Sequence, residues 1–370
     1  MATIVGFLTV GSTLTGTEDS DQIYGNARGS VNVATGSDRI FGRGGDDRIV
    51  GDTGSYEDGN FNLVTGDIGP AGRGGNDTVQ GGDGDDDIYG DTDSDLLGIG
   101  GNDILYQNAG QGTLVGDADV VSTTTRCGND QLFGDGFLLG DAFEGRAVLF
   151  GNDLLVASTA SGSGSGSSLF GDLRNTLEFT CVGGRDTLKG ATLNDLLVGD
   201  AEALRESARG GNDTLSGGGG DDELFGDALF GIFGTAKGGN DVLRGDAGND
   251  LIFGDGRSLD EFAQGGNDRL LGGAGDDQLS GDGELEGLAQ GGKDRFVFSG
   301  NFGDDQILDF RTADGDQLIF RGLTQSEVTQ SIVTVTDPND SLLLTTLGGE
   351  SVTLVGFTGP LTPGVDIVFA

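Results

Sequence analysis

Aspartate is the residue whose type and spacing could do chemistry in this sequence, because it recurs at fixed intervals among glycines. From Gly210 onward the segment Gly-Gly-Asn-Asp occurs three times, and an aliphatic residue stands two positions after each of these aspartates. Carboxylate and backbone carbonyl oxygens are the ligands that a hard cation such as Ca²⁺ takes in proteins. The aspartates form pairs nine residues apart that recur after 27 or 28 residues: Asp186/Asp195, Asp213/Asp222, Asp241/Asp250 and Asp268/Asp277. This spacing predicts a row of calcium sites.

Each aspartate belongs to a nine-residue unit of the form GGxGxDxUx, in which U is a large aliphatic residue. The x-U-x segment predicts a short strand whose central side chain points inward and stacks on its neighbours along an axis. These side chains are Leu215, Leu224, Leu243, Ile252, Leu270 and Leu279. The turns need glycine because the chain reaches positive φ there and passes close to a bound ion. We therefore predict an all-β fold, a right-handed parallel β-roll or β-solenoid whose thin core needs calcium to hold its coils together.

The nonapeptide resembles the RTX (repeats-in-toxin) family, whose repeat is a calcium-binding β-helix signature. The resemblance implies that the aspartate at position six is a side-chain ligand of calcium and that turn glycines contribute carbonyl oxygens. The aspartates so assigned are Asp38, Asp47, Asp77, Asp86, Asp186, Asp195, Asp213, Asp222, Asp241, Asp250, Asp268, Asp277 and Asp294. The glycines so assigned are Gly211, Gly218, Gly220, Gly239, Gly248, Gly266, Gly273 and Gly275.

The sequence departs from this repeat in two ways. A Gly-Asp dipeptide places a carboxylate at position two, where it either adds a ligand or caps the neighbouring insert. This occurs at Asp200, Asp227, Asp255 and Asp282. Before residue 180, three aspartates have no clean partner nine residues on, which predicts that the second corner of their coils is degenerate. They are Asp103, Asp130 and Asp153.

Inserts of about nine residues, such as Ala201–Arg209 and Gly256–Gln264, separate the pairs of repeats. Variable inserts at one point of each repeat predict loops on one face of a solenoid. A third wall, which would give the coil a triangular cross-section, is the alternative, and we favour the loops. An apolar strip on this face would consist of Leu229, Phe230, Ile232, Phe233 and Phe262.

We divide the chain into an N-terminal strand cap (residues 1–30), the solenoid with its inserts (31–294) and a C-terminal β cap (295–370). The last part contains alternating strands such as Ser351–Phe357. It resembles the C-terminal cap of serralysin-type proteins, which implies an uncleaved signal for type I secretion. The N-terminus lacks the basic region and cleavage site of a secretory signal peptide. We therefore expect type I export to the extracellular space or cell surface.

Composition excludes several classes of protein. Lys and Arg number 20 against 61 Asp and Glu, a net charge of −41, which opposes binding to nucleic acid and to anionic membranes. No apolar run is long enough to cross a membrane. Histidine is absent, which rules out HExxH zinc proteases and Ser-His-Asp nucleophiles, and we expect no enzymatic activity. The only cysteines, Cys127 and Cys181, could form a disulfide, form an intermolecular bridge or remain inert thiols.

These observations lead to two hypotheses about function. The first is an extracellular structural protein, a subunit of a surface layer, sheath or filament, that folds on calcium and self-associates into a polymer or lattice. The second is a monomeric secreted module that binds a polysaccharide or a surface in the presence of calcium, with the inserts as its contact face. The apolar residues of the inserts favour the first, because exposed apolar patches mark protein contacts.

Overall fold

A computed structural model describes residues 3–6, 13–15, 22–26, 39–44, 48–52, 74, 76–83, 86–96, 98–122, 125–145, 149–158, 166–333, 341–357 and 359–370. The chain divides into two compact units, the first comprising residues 1–188 with 200–202 and the second residues 189–199 with 203–370. The boundaries predicted at residues 30 and 294 stay a prediction. Within the described ranges, no helix has the length and apolar character needed to cross a membrane.

The described residues form short β-strands and one 3₁₀ turn, Gln325–Glu327. The strands up to residue 189 are β1 (Thr3–Gly6), β2 (Thr13–Thr15), β3 (Gln22–Asn26), β4 (Arg39–Gly44), β5 (Arg48–Asp52), β6 (Thr78–Asp83), β7 (Asp87–Tyr89), β8 (Thr92–Leu96), β9 (Ile104–Val115), β10 (Ala118–Val121), β11 (Gln131–Leu139), β12 (Ala142–Gly145), β13 (Leu154–Ala157), β14 (Ser168–Phe170), β15 (Thr176–Leu177) and β16 (Thr187–Lys189).

The later strands are β17 (Leu196–Val198), β18 (Ala201–Leu204), β19 (Thr214–Gly219), β20 (Glu223–Phe225), β21 (Ala228–Ile232), β22 (Val242–Ala247), β23 (Leu251–Phe253), β24 (Ser258–Leu259), β25 (Arg269–Ala274), β26 (Gln278–Ser280), β27 (Glu284–Leu285), β28 (Arg295–Ser299), β29 (Asp304–Ile307), β30 (Gln317–Arg321), β31 (Val328–Val333), β32 (Ser341–Thr346), β33 (Ser351–Leu354) and β34 (Ile367–Phe369).

In the first unit the strands stack in parallel along two walls of the coil. One wall contains β2, β4 and β6, and the other contains β1, β3, β5 and β7. Strands β9 and β11 are long enough to belong to both walls: Leu105 is paired with Leu132 in one, and Leu114 with Leu138 in the other. They run through the point at which a glycine–aspartate turn would otherwise lie. This explains why Asp103 and Asp130 lack a partner nine residues on, as predicted.

In the second unit each coil is a six-residue strand, a turn and a three-residue strand. Strands β19, β22 and β25 stack in parallel on one wall, and β17, β20, β23 and β26 on the other. The register aligns the aliphatic side chains of successive coils, and all six that the sequence predicted are fully buried: Leu215, Leu224, Leu243, Ile252, Leu270 and Leu279. The predicted parallel β-solenoid is confirmed.

The inserts form a third wall, so our prediction of loops was wrong and the alternative is correct. In the second unit β21, β24 and β27 pair in parallel, and Ile232 lies opposite Leu259. In the first unit β8, β10 and β12 pair in the same way. The side chains of Ile232, Leu259 and Ala263 are fully buried, because a third face of the core can cover inward-pointing insert residues. Ile232 is therefore not part of the exposed apolar strip that we predicted.

The rest of that strip is only partly on the surface. Phe230 and Phe262 are more than half exposed. Phe233 is partly covered by the guanidinium group of Arg205, which lies 4.5 Å from the centre of its ring. Apolar surface on the third wall is therefore smaller than the sequence suggested.

After Asp294 the coils end in a β cap with an aromatic core. Strands β28, β30 and β34 continue one parallel wall, while β31, β32 and β33 form an antiparallel sheet whose last strand also pairs with β29. The ring of Phe320 stacks against Phe298 at 5.2 Å and against Phe369 at 5.9 Å.

Candidate metal sites

The turns align aspartates of successive coils into three columns, and each of these aspartates is at most 4 % exposed. Column I precedes the first strand of each coil: Asp77, Asp103, Asp130, Asp153 and Asp186 in the first unit, and Asp213, Asp241, Asp268, Asp294 and Asp316 in the second. Column II precedes the second strand, except that Asp305 lies within β29: Asp86 in the first unit, and Asp195, Asp222, Asp250, Asp277 and Asp305 in the second. Column III follows the second strand: Asp91, Asp117, Asp141, Asp172 and Asp200 in the first unit, and Asp227, Asp255 and Asp282 in the second.

Along columns I and II, carboxylate oxygens accept hydrogen bonds from backbone N–H groups of the neighbouring coil. The backbone N–H of Asp213 donates to Oδ1 of Asp241 at 2.6 Å, and the N–H of Asp241 donates to Oδ1 of Asp268 at 2.8 Å. In column II the N–H of Asp222 donates to Oδ1 of Asp250 at 2.9 Å. In the second unit the repeat places an aspartate at the same two points of successive coils, so the regular spacing in the sequence becomes a ladder of hydrogen bonds between coils.

The second oxygen, Oδ2, is buried and accepts no hydrogen bond in eight of these aspartates: Asp130, Asp222, Asp241, Asp250, Asp268, Asp277, Asp294 and Asp305. A buried carboxylate oxygen without a partner is costly, because the charge has lost its hydration and gained nothing in return. A cation beside it removes this cost. The donor set therefore fits a cation, and its all-oxygen chemistry fits calcium better than a soft metal.

Carbonyl oxygens face the same space as these Oδ2 atoms. A methyl group built on Gly226 would lie 1.7 Å from the carbonyl oxygen of Gly254 and 2.4 Å from Oδ2 of Asp241, so both oxygens converge on this glycine. In column II, a methyl group on Gly245 would lie 2.0 Å from Oδ2 of Asp250 and 2.5 Å from the carbonyl oxygen of Gly272. These carbonyls belong to the glycine at position one, which sequence reasoning missed because it assigned positions two and four.

The glycines at position four are required for two different reasons. At Gly239 a methyl group would lie 1.6 Å from the carbonyl oxygen of Gly211 in the neighbouring coil, so any side chain would collide with backbone. At Gly248 the φ angle is 142°, a conformation that only glycine adopts easily. The predicted need for positive φ therefore holds at column II, while column I needs glycine for the close approach of coils.

A model of the RTX calcium-binding nonapeptide repeat (4 copies) matches residues 31–56, 71–97, 207–228, 235–256 and 262–284. The three later matches contain the ladder of columns I and II described above. This chain carries RTX calcium-binding repeats. RTX repeats bind calcium in general, and proteins that contain them are generally secreted. A comparison with curated proteins gives no match.

The electrostatics of the RTX columns show what the carboxylates do without a cation. Burial, followed by the carboxylate of Asp213, raises the pKa of Asp241 well above its ordinary value. In column II burial raises the pKa of Asp222 and of Asp277 to about 7 and that of Asp250 to about 6. Without a cation, these three carboxylates of column II therefore hold a proton over part of the range around neutral pH.

The last coil before the cap shows a protein cation in the corresponding place. The guanidinium group of Arg311 donates a hydrogen bond to Oδ2 of Asp282 at 3.0 Å and lies 3.7 Å from the carboxylate of Asp309. Asp282 is only 1 % exposed, and its other oxygen accepts the N–H of Gly292. A positively charged group can therefore lie beside column III, as Arg311 does beside Asp282.

The predicted ligands fall into three groups. Asp77 and Asp186 lie in column I of the first unit, Asp86 lies in column II, and the predicted aspartates from Asp195 to Asp294 lie in these columns of the second unit. Asp38 and Asp47 lie outside the described residues. Their roles as ligands, and those of the predicted glycine carbonyls, stay predictions.

Column III is the part of the site that sequence reasoning assigned least completely. The position-two aspartates do not cap exposed loops, because they are buried and bridge to the start of the next first-wall strand. For example, the N–H of Gly239 donates to Asp227 at 2.7 Å, and the N–H of Gly266 donates to Asp255 at 2.7 Å. Their counterparts in the first unit were missed, although the same Gly-Asp signal marks them: Asp91, Asp117, Asp141 and Asp172.

Both cysteines carry free thiols, so the disulfide left open by the sequence is not formed. Cys181 is buried, whereas Cys127 is partly exposed. Burial, followed by the carboxylates of Asp141 and Asp117, raises the pKa of the Cys127 thiol well above its ordinary value.

Proposed function

We propose that this chain is a secreted structural protein that folds when it meets extracellular calcium and then associates with further copies through its third wall. The observation that carries the calcium dependence is the row of buried Oδ2 atoms in columns I and II that accept no hydrogen bond. Calcium, when bound, would supply the positive charge that these carboxylates lack. Because adjacent coils both contribute oxygens, binding would be linked to folding of the stack.

Export by a type I route, with a signal in residues 295–370, is part of this proposal. The β cap that these residues form and their resemblance to serralysin-type caps support it. A low cytosolic calcium concentration would leave the chain unfolded for export, because extracellular calcium modules bind at about 10⁻⁴ to 10⁻³ M.

Exposed apolar side chains on the third wall support self-association. Phe262 and Leu288 are 58 % and 67 % exposed, and they occupy equivalent points of adjacent coils, since each stands two residues before a bridge partner of the ladder Gln264–Gln290. Exposed apolar surface costs about 25 cal/mol per Å² relative to burial, so covering this pair with another copy is favourable.

Two measurements on the purified full chain test the proposal. Circular dichroism should show a disordered chain in EDTA and a β spectrum in millimolar calcium, and a spectrum that EDTA leaves unchanged would refute calcium-dependent folding. Sedimentation velocity with calcium should show assemblies that the double variant Phe262→Asp/Leu288→Asp loses while it still folds. The control is Leu347→Asp in the cap, where the side chain is 75 % exposed. A wild type that stays monomeric would favour the monomeric binding or adhesion module.

A further inference from the structure

One coil of the first unit contains a thiol among the carboxylates of column III. The sulfur of Cys127 and one carboxylate oxygen each of Asp117 and Asp141 all lie within 4.8 Å of one another. Asp117 and Asp141 are fully buried. In each carboxylate Oδ2 accepts a backbone N–H, from Gly128 and Gly151 respectively, while Oδ1 accepts no hydrogen bond.

Cys127 occupies a point of the coil where most other coils have glycine. Its N–H donates to the carbonyl of the following coil, as do those of Gly74, Gly100 and Gly238 at the same point. A methyl group on Gly100 would lie 1.9 Å from Oδ1 of Asp117, and one on Gly238 would lie 1.9 Å from Oδ1 of Asp255. A side chain here therefore projects directly at column III, and Cys127 brings sulfur to that place.

The donor set differs from that of every calcium site described above. Calcium takes oxygen ligands, whereas a thiolate with two carboxylates suits a borderline or soft divalent ion such as Zn²⁺ or Cd²⁺. A neighbouring group that shares Asp141, namely Asp130, Asp141 and Asp153, has only oxygen donors within the same 4.8 Å limit and suits calcium.

We propose that Cys127, Asp117 and Asp141 form a site for a thiophilic divalent metal, chemically distinct from the calcium sites of the repeats. Binding releases the thiol proton of Cys127 to solvent and forms a metal–sulfur bond, with the two buried Oδ1 atoms as further ligands. The site requires the folded first unit, but it does not depend on self-association.

Cadmium titration of the calcium-loaded full chain, in a non-thiol reductant, tests this site. The wild type should bind one equivalent of Cd²⁺ and develop the near-ultraviolet charge-transfer absorption of a cadmium thiolate, and Zn²⁺ should reverse it. Cys127→Gly, which restores the glycine of the other coils, should abolish the band, while Cys181→Ser should keep it. Asp141→Asn should weaken Cd²⁺ binding by at least about tenfold, the order expected when support of a metal site is lost.

Several outcomes would overturn the proposal. The first is a wild type without the charge-transfer band, and the second is a band of equal size in Cys127→Gly. A band that excess calcium removes but Zn²⁺ does not would also contradict a thiophilic site. Calcium-induced circular dichroism of each variant checks its fold, and the comparison of Cys127→Gly with Cys181→Ser decides the question even if Asp141→Asn does not fold.

Discussion

The effect of Asp241→Asn on the free energy of unfolding should change sign as calcium is added. Asparagine keeps the shape of the side chain and its Oδ1 can still accept the N–H of Asp213, which aspartate accepts at 2.6 Å. It removes the charge of the buried Oδ2 and places an amide N–H beside the carbonyl oxygen of Gly254, which faces that atom. Without calcium the variant should therefore be as stable as wild type or more stable, because an unpartnered charge is gone.

With calcium the same variant should be less stable, since one ligand of a site is lost. A site that binds only the folded chain contributes about 2.7 kcal/mol when the calcium concentration is about 100 times its dissociation constant. For a dissociation constant of about 10⁻⁴ M, this corresponds to about 10 mM calcium. We expect a loss of this order in 10 mM calcium, and a loss that decreases toward zero as the calcium concentration falls to the lowest value at which the chain still folds.

Urea unfolding followed by circular dichroism, at a series of calcium concentrations, measures both quantities. The matched control is Asp260→Asn on the third wall, whose carboxylate is partly exposed and accepts the N–H of Glu261. That substitution should shift the unfolding midpoint by the same amount at every calcium concentration at which the chain folds. Equal calcium dependence for the two variants would mean that Asp241 is not a ligand, and the assignment of column I would have to be abandoned.

Two further predictions follow from the same geometry. Gly239→Ala should destabilise the calcium-loaded chain near the upper end of the range of about 1–3 kcal/mol for overpacking, because its methyl group would lie 1.6 Å from a backbone oxygen. Gly219→Ala is the control in thermal unfolding, since no atom would lie within 3.8 Å of its methyl group, and equal losses in the two variants would contradict the close approach at column I. Calcium should also stabilise the protein less at pH 5 than at pH 8. The raised pKa values of Asp222, Asp250 and Asp277, at about 6 to 7, mean that the calcium-free fold binds protons there that the unfolded chain does not. Stability without calcium therefore falls as pH rises through this window, and a calcium-induced shift in the unfolding midpoint that is independent of pH would refute this linkage.

The two main walls and their ladder could be predicted because each feature repeats in the sequence. Leu243 and Ile252 stand two residues after aspartates that recur at a fixed interval, so a coil that places one of them inward places all of them inward. The degenerate corner of the first unit was also visible, since no aspartate follows Asp103 or Asp130 at the required distance. The spacing of residues along the sequence is therefore enough to predict the structure where each coil repeats the preceding one.

The third wall could not be predicted from spacing. Its strands β24 and β27 contain only two residues each, too few for a period of two to be recognised. Inward positions such as Ala236 and Ala263 carry small side chains that are equally typical of surface loops. These residues become strand neighbours only because the two main walls already fix the distance between coils. The wall is therefore a consequence of tertiary stacking.

The burial of column III could not be predicted from the sequence for a different reason. An aspartate after glycine is normally a surface residue, and Asp is almost never fully buried unless it is paired. The Gly-Asp signal at Asp141 or Asp255 was therefore visible, but its meaning depends on the third wall, which encloses the corner from which the insert departs. A fold with loops at this corner would have left these carboxylates in water.

The position of Arg311 supports the proposal that the inner coils use an external cation. Its guanidinium reaches Asp282 from the cap, where the chain has left the nonapeptide and has space for a long side chain. In most inner coils the point beside column III carries glycine, and at Gly265 even a methyl group would lie 2.4 Å from the carboxylates of both Asp255 and Asp282. A lysine or arginine cannot be accommodated there without separating the coils. The close packing that aligns the carboxylates thus also prevents the chain from neutralising them, and this conflict is the physical reason for the calcium-dependent folding that we propose.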